Sequence, residues 1–431
     1  MAVVSLAFYI LLELIRPMDW WEPMRLWPII NILAIVTGLL GVPSLTERFK
    51  TVWNQIPQVK IALWFFAATV LSFIPQFYMG GMLDAFQNFG KVIFFFVLLL
   101  TIVKQVKHER LLIWFLLLGI LWLSIHAILQ QRTGFGFGGK PPSPRGINPE
   151  TGETIWQSRA YGTLDDPNDL SLILVVGIPL FLLQVFMTGN PVRKIVGIIG
   201  AGLAVYGTWC TNSRGGIMAV LGMLGALIFV RLKGIKRYLV GGIGGAIVMV
   251  LAPGRFSSGA LSGRDRSVLW GDGILMFKRS PIFGVGFGGF PDNASRAQVA
   301  HNSYVHVLAE LGLFGYLPFF LLIYLTVIQI QRLMEIKHLI SKNDHLLLTG
   351  LFAGLAGQFG AMYFISRQYQ PILFINLALV IGTIYNMSRD YNLLQSVYGP
   401  TKKDIRQGLI FALASIPVIW VTILVSNKVG A

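Results

Sequence analysis

Uninterrupted apolar runs recur along almost the whole chain, and a run of about 20 such residues crosses the hydrocarbon core of a bilayer as a helix. They lie near 2–15, 25–43, 58–80, 89–106, 110–130, 168–188, 192–211 and 215–231, then near 236–252, 303–331, 345–366, 370–387 and 407–427. Runs of this length and spacing predict about 12 or 13 membrane spans. They are continuous rather than alternating, which excludes a closed β-barrel. The expected fold is therefore all-α, a polytopic membrane helix bundle forming a single integral membrane domain over 1–431. Two connections stand out by length: a medium loop at 131–167 and a large one at 253–302.

Composition agrees. The chain is 55% hydrophobic and 13% charged, against about 25% charged in ordinary soluble domains. Its mean hydropathy is +0.67. A soluble enzyme, a disordered chain and a simple secreted domain are excluded. The balance of 35 basic against 19 acidic residues gives +16, which in a soluble protein would suggest nucleic acid. In a membrane protein it reads as cytoplasmic-loop charge beside anionic lipid, with no nucleic-acid partner. The single cysteine, Cys210, excludes an intramolecular disulfide framework. The first apolar segment lacks a basic start and a small-residue cleavage site, so it reads as a retained span.

Short basic connections at 47–50, 104–110, 192–194, 231–237, 331–342 and 402–406 fall at alternate turns and are placed in the cytoplasm. The two long loops and the tight turn Thr211 to Gly216 then face outward. Those outward segments also carry arginines, among them Arg132, Arg145, Arg159, Arg214, Arg255, Arg264, Arg266, Arg279 and Arg296. Headgroup contact is one reading of them. A bound anion is the other, because the guanidinium fork suits phosphate oxygens.

Two glycine-rich stretches, 134–139 and 284–289, match a dinucleotide pattern literally. Neither follows a strand in a βαβ unit, so they read as backbone that turns sharply near the membrane. Trp270 and Phe290 read as interfacial anchors, and Asp166-Pro167-Asn168 as a helix cap. No metal constellation and no Gly-x-Ser-x-Gly elbow are present in the sequence. The segment from His301 to Tyr316 is different in kind. It puts His301 at the mouth of a span, directly after the large outer loop. Glu310 follows inside an apolar helix, where a carboxyl needs a partner. Gly312 and Gly315 permit a close helix contact or a bend.

At these residues the chain resembles the O-antigen ligase and polymerase superfamily of bacterial membrane glycosyltransferases. The hallmark is His, then Asn, Ser or Gln, then nine residues and Gly-x-x-Gly with Thr or Tyr. His301, Asn302, Gly312, Gly315 and Tyr316 meet it. Arg159 to Asn168, Asn212 to Gly216, and Arg264 to Gly288 with Trp270 extend the likeness over about 155–316. The resemblance implies a GT-C-like enzyme of the inner membrane, with its active site facing the periplasm or exterior. It would use neither metal nor cofactor. It would move a glycan from undecaprenyl diphosphate to an acceptor hydroxyl on another glycan or on lipid A-core. His301 would orient or deprotonate that hydroxyl. Arg214 and Arg266 would hold the diphosphate, with Arg159, Arg264, Asn302 and Asn168 as further substrate-binding positions. A repeat-unit polymerase and a protein O-oligosaccharyltransferase share the same motifs. A secondary transporter is the rival from another class, disfavoured because mid-span charges are few.

Overall fold

A computed structural model describes residues 1–147, 151–187, 189–232, 236, 239, 260–399 and 401–429; the side chains of 230, 260–265 and 425–429 lie outside that description. Among the described residues the regular structure is helical, apart from one two-stranded antiparallel hairpin, β1 (Ser143–Ile147) with β2 (Thr154–Gln157). The long helices are α1 (Ala2–Ile15), α2 (Ile29–Gln55), α3 (Pro57–Leu71), α4 (Met79–Ile102), α5 (Val106–Thr133), α6 (Pro167–Phe186) and α7 (Pro191–Cys210). They continue with α8 (Arg214–Arg231), α9 (Ala260–Arg279), α10 (Ser303–Glu335), α11 (Lys342–Ala361), α12 (Pro371–Asp390) and α13 (Thr401–Val429). Among the described residues, eight helices are long and apolar enough to cross a membrane. The apolar runs read from the sequence each coincide with a helix, except 236–252, which apart from 236 and 239 lies outside the described residues.

Helix starts follow local cap chemistry. Asp166 caps α6, its Oδ1 accepting the Asn168 N–H at 2.7 Å, with Pro167 in the first helical position. Asn190 and Pro191 repeat the device at α7, where Asn190 Oδ1 accepts the Val192 N–H at 2.8 Å. Gly134 ends α5 in the left-handed conformation, φ 83°, returning its N–H to the Gln130 carbonyl.

The chain divides into two compact units, each discontinuous in sequence. The first comprises 1–48, 98–227 and 337–361. Its centre is α6, packed against α7, α5 and α11. α6 is buried nearly all round, and α11 approaches it closely through small residues: Gly350 faces the Pro179 carbonyl and Gly354 the Val176 carbonyl. The second unit comprises 49–97, 228–336 and 362–431. Its centre is α10, which packs on α3, α9, α12 and α13. Near the end of α10, Arg332 makes a two-pronged bond to Asp404 on α13, both arms 2.7 Å.

Candidate functional site

The centre of the second unit is a helix that breaks. In α10, Gly312 adopts φ 59° and ψ −157°, a conformation open essentially to glycine alone. Interrupting a helix frees carbonyls before the break and N–H groups after it, and in a buried setting these need partners. The 281–286 segment supplies them. The Ala309 and Glu310 carbonyls accept N–H bonds from Val285 and Gly286, both 3.0 Å. The Leu313 and Phe314 N–H groups donate to the Pro281 and Ile282 carbonyls at 2.8 and 3.0 Å. The glycine-rich loop is thus a short ladder laid against a broken helix. Its approach is so close that a Cβ at Gly284 would overlap the Glu310 backbone.

This explains the glycines that match a dinucleotide pattern. Gly284, Gly286 and Gly288 all have positive φ, as a sharply turning backbone requires. The Phe287 ring, set between two of these glycines, packs on Tyr369 with centroids 4.6 Å apart.

Glu310, the carboxyl that needed a partner, has three. Oε1 accepts the Phe290 N–H at 3.1 Å and lies 2.8 Å from His306 Nε2, and Oε2 accepts the Tyr369 hydroxyl at 3.0 Å. Burial and the adjacent Glu310 carboxylate push the Tyr369 phenol well above its usual range, so it stays a donor. Glu310 is itself fully buried. All three neighbours can present hydrogens, and a carboxyl with two acceptor oxygens serves them together. Glu310→Gln replaces one of those acceptors with a donor, so the group facing it must turn to accept or lose its partner. The substitution is expected to cost about 1–3 kcal/mol for each donor left unpaired, read as a lower thermal midpoint in detergent; an unchanged midpoint would show the carboxylate to be dispensable.

His301 lies ahead of this helix, at its mouth. It is half-buried and holds φ 50°, a left-handed conformation that costs a non-glycine residue about 1–2 kcal/mol. Its chain neighbours are fixed. The Trp270 indole N–H donates to the Ala300 carbonyl at 2.9 Å. Asn302 caps α10, its Oδ1 accepting the Tyr304 and Val305 N–H groups at 3.0 and 3.1 Å. Ser303 donates its N–H to the Met362 carbonyl and its hydroxyl to the Ile365 carbonyl, both at 2.7 Å. Backbone strain held by its surroundings in this way is concentrated at functional sites.

Trp270 and Phe290 are therefore not interfacial anchors. They are 2% and 0% exposed, and Trp270 ties α9 to the residue before His301. Arg266 sits on α9 one turn ahead of Trp270, on the same helix face, with a half-buried side chain. Arg264 is on the same helix, in the part whose side chains are not described. The second unit thus holds His301 and Asn302 at the start of α10, with Arg266 one turn ahead of the Trp270 that bonds to Ala300. Asn302 is 1% exposed, and its carboxamide oxygen is committed to the cap.

The first unit holds Arg214, Arg159 and Asn168. Arg214 opens α8 just after the turn at Asn212, which has φ 45°. Ser213 donates its hydroxyl to Asn168 Oδ1 at 2.7 Å and accepts the Gly216 N–H at 3.1 Å. Asn168 thus belongs both to the capped start of α6 and to the turn that presents Arg214. The hairpin docks on that turn: Gln157 and Arg145 donate to the Asn212 carbonyl, and Asn212 donates to the Trp156 carbonyl. Arg159 lies 3.6 Å from Asp165 and donates to the Pro141 carbonyl at 3.2 Å. Its backbone is held by α5, through Gln130 and His126.

Fold and geometry define a class first: a polytopic helical membrane protein with a broken helix that carries a strained histidine at its mouth. Residues 199–320 match the family model described as O-antigen ligase, a stretch that includes Arg214, Arg264, Arg266, His301 and the glycine break. That match supports a glycosyltransferase-like function in polysaccharide assembly. No curated protein matches the chain.

Proposed function

We propose that this protein is a glycosyltransferase of the bacterial inner membrane, moving a glycan from undecaprenyl diphosphate to an acceptor hydroxyl on the periplasmic or outer face. The acceptor oxygen attacks the anomeric carbon, and the bond from that carbon to the phosphate oxygen breaks. Undecaprenyl diphosphate leaves with the electron pair, and the hydroxyl proton passes to His301. Arg266 and Arg214 stabilise the charge that develops on the diphosphate, a task guanidinium groups can perform. Arg159 and Arg264 are secondary, and Asn168 and Asn302 act through the helix starts they hold. The acceptor is a lipid A-core hydroxyl or another surface glycan.

The observation that carries this reading is His301, held in a strained conformation between Trp270 and Ser303 inside the matched segment. An imidazole within reach of an acceptor hydroxyl can orient it and take its proton. Surface polysaccharide in a deletion strain tests the ligase form. The expected result is loss of all attachment while lipid-linked polymer persists. Attachment of single repeats points instead to a polymerase, and unchanged attachment to neither.

A further inference from the structure

A cavity of about 260 Å³ opens where the last turn of α5 meets the end of α7. It is lined by Gln131, Arg132, Tyr206, Trp209, Cys210 and Asn212, all within the first unit. Two amides in its wall are half used. The Gln131 carboxamide nitrogen donates to the Trp156 and Cys210 carbonyls at 3.1 and 3.0 Å, and the Asn212 nitrogen to the Trp156 carbonyl at 2.8 Å. Those bonds fix which end of each amide is nitrogen. Among the described residues, neither carboxamide oxygen accepts a hydrogen bond. Arg132 adds an exposed guanidinium, 5.6 Å from the centre of the Tyr206 ring. Trp209, three residues on and on the same helix face as Tyr206, is 77% exposed.

We propose that this cavity is a saccharide subsite that seats one sugar ring of the transferred or accepting glycan, an inference that rests on the glycosyltransfer reading above. Trp209 and Tyr206 meet the apolar C–H face of the ring, and Arg132, Gln131 and Asn212 meet its hydroxyls. The mixture of open groups selects this class of ligand. An ionised phosphate offers only acceptors, which the two carboxamide oxygens repel, and no carboxylate lines the cavity to hold a cation. A hydroxyl both donates and accepts, so it suits a guanidinium and an amide oxygen alike. The volume lies just under the range of about 300–1,000 Å³ usual for drug-sized ligands, as a single sugar unit requires. The location agrees. Trp156 belongs to the β1–β2 hairpin, and an open hairpin with unpaired edges does not lie against lipid tails. Bonds from Gln131 and Asn212 to Trp156 therefore put the cavity at the polar end of these helices. Asn212, at φ 45°, precedes Arg214 by two residues, so the subsite adjoins the turn that presents the arginine assigned to the diphosphate.

The test is a titration of the purified full-length protein in detergent, followed by saturation-transfer NMR. Its probe is the repeat-unit oligosaccharide released from the host cell's own surface polysaccharide. The parent is expected to bind it, and Trp209→Ala to bind about tenfold more weakly, as loss of an aromatic contact does. Trp209→Phe should lie between them, and Arg132→Gln should weaken binding several-fold. Ligand-free thermal midpoints should stay within about 2 °C of the parent, because both side chains are exposed. Trp27→Ala, at another exposed tryptophan, should bind as the parent does. A parent that does not bind the oligosaccharide overturns the subsite. Parent-like binding by both Trp209→Ala and Arg132→Gln also overturns it, and leaves Trp209 as an interfacial anchor. Neither result touches the glycosyltransfer reading, which fails separately if the parent transfers nothing from the lipid-linked donor.

Discussion

Alanine in place of His301 is expected to lower glycan transfer by about 10²–10⁴-fold, the range lost with a general acid–base group, while the protein still folds. The backbone at this position lets chemistry be separated from structure. His301 holds φ 50°, which alanine also resists but glycine adopts freely. Glycine relieves strain of about 1 kcal/mol, partly offset by its greater freedom in the unfolded chain. His301→Gly should therefore melt at or above the alanine variant and be equally inactive. Transfer assays beside thermal denaturation read both quantities. Turnover within a few-fold of the parent in either variant removes His301 from the chemistry.

The largest effect on folding is expected at the helix break. Gly312 combines φ 59° with ψ −157°, and a Cβ there would overlap the Ile282 carbonyl. Backbone cannot yield as a side-chain tip can, and four hydrogen bonds between 281–286 and 309–314 depend on that approach. Gly312→Ala combines strain of about 1–3 kcal/mol with disruption of that ladder, in which each buried group left unpaired costs a further 1–3 kcal/mol or so. The sum is comparable to the whole stability of a typical domain, about 5–15 kcal/mol. Little folded Gly312→Ala protein is expected by size-exclusion chromatography in detergent. Gly288 is the control: its φ is 76°, but nothing lies within 4 Å of an added Cβ. Gly288→Ala should lose only the conformational term, about 1–2 kcal/mol, and elute as folded protein. Equal yields of the two variants would mean that the ladder does not hold the fold.

Much of this architecture is legible in the sequence because its causes are local. Apolar runs, Asp166-Pro167 and Asn190-Pro191 set helix positions through residues a few places apart. The His301 segment is legible for the same reason, since its histidine, cap and glycines lie within one short stretch. What escapes is long-range pairing. Gly312 marks a bend, yet nothing in the sequence says that 281–286 fills the break. Glu310 demands partners, but Tyr369 lies 59 residues away. Trp270 and Phe290 read as interfacial because aromatic residues near span ends commonly are; a bond to Ala300 for one and complete burial for the other place them inside the protein. The hairpin at 143–157 escapes as well, being a small polar ribbon held by contacts to Asn212 rather than by hydropathy.

The proposed reaction turns on a lipid-diphosphate leaving group at a histidine-bearing helix mouth. It is tested most directly by incubating the purified protein with a labelled undecaprenyl-diphosphate-linked glycan and a hydroxyl-bearing acceptor glycan. The expected result is acceptor-dependent transfer of label with release of one undecaprenyl diphosphate per bond formed, lost in His301→Ala. Label that stays on the lipid in the presence of every acceptor tried, or transfer that persists undiminished in His301→Ala, contradicts the account.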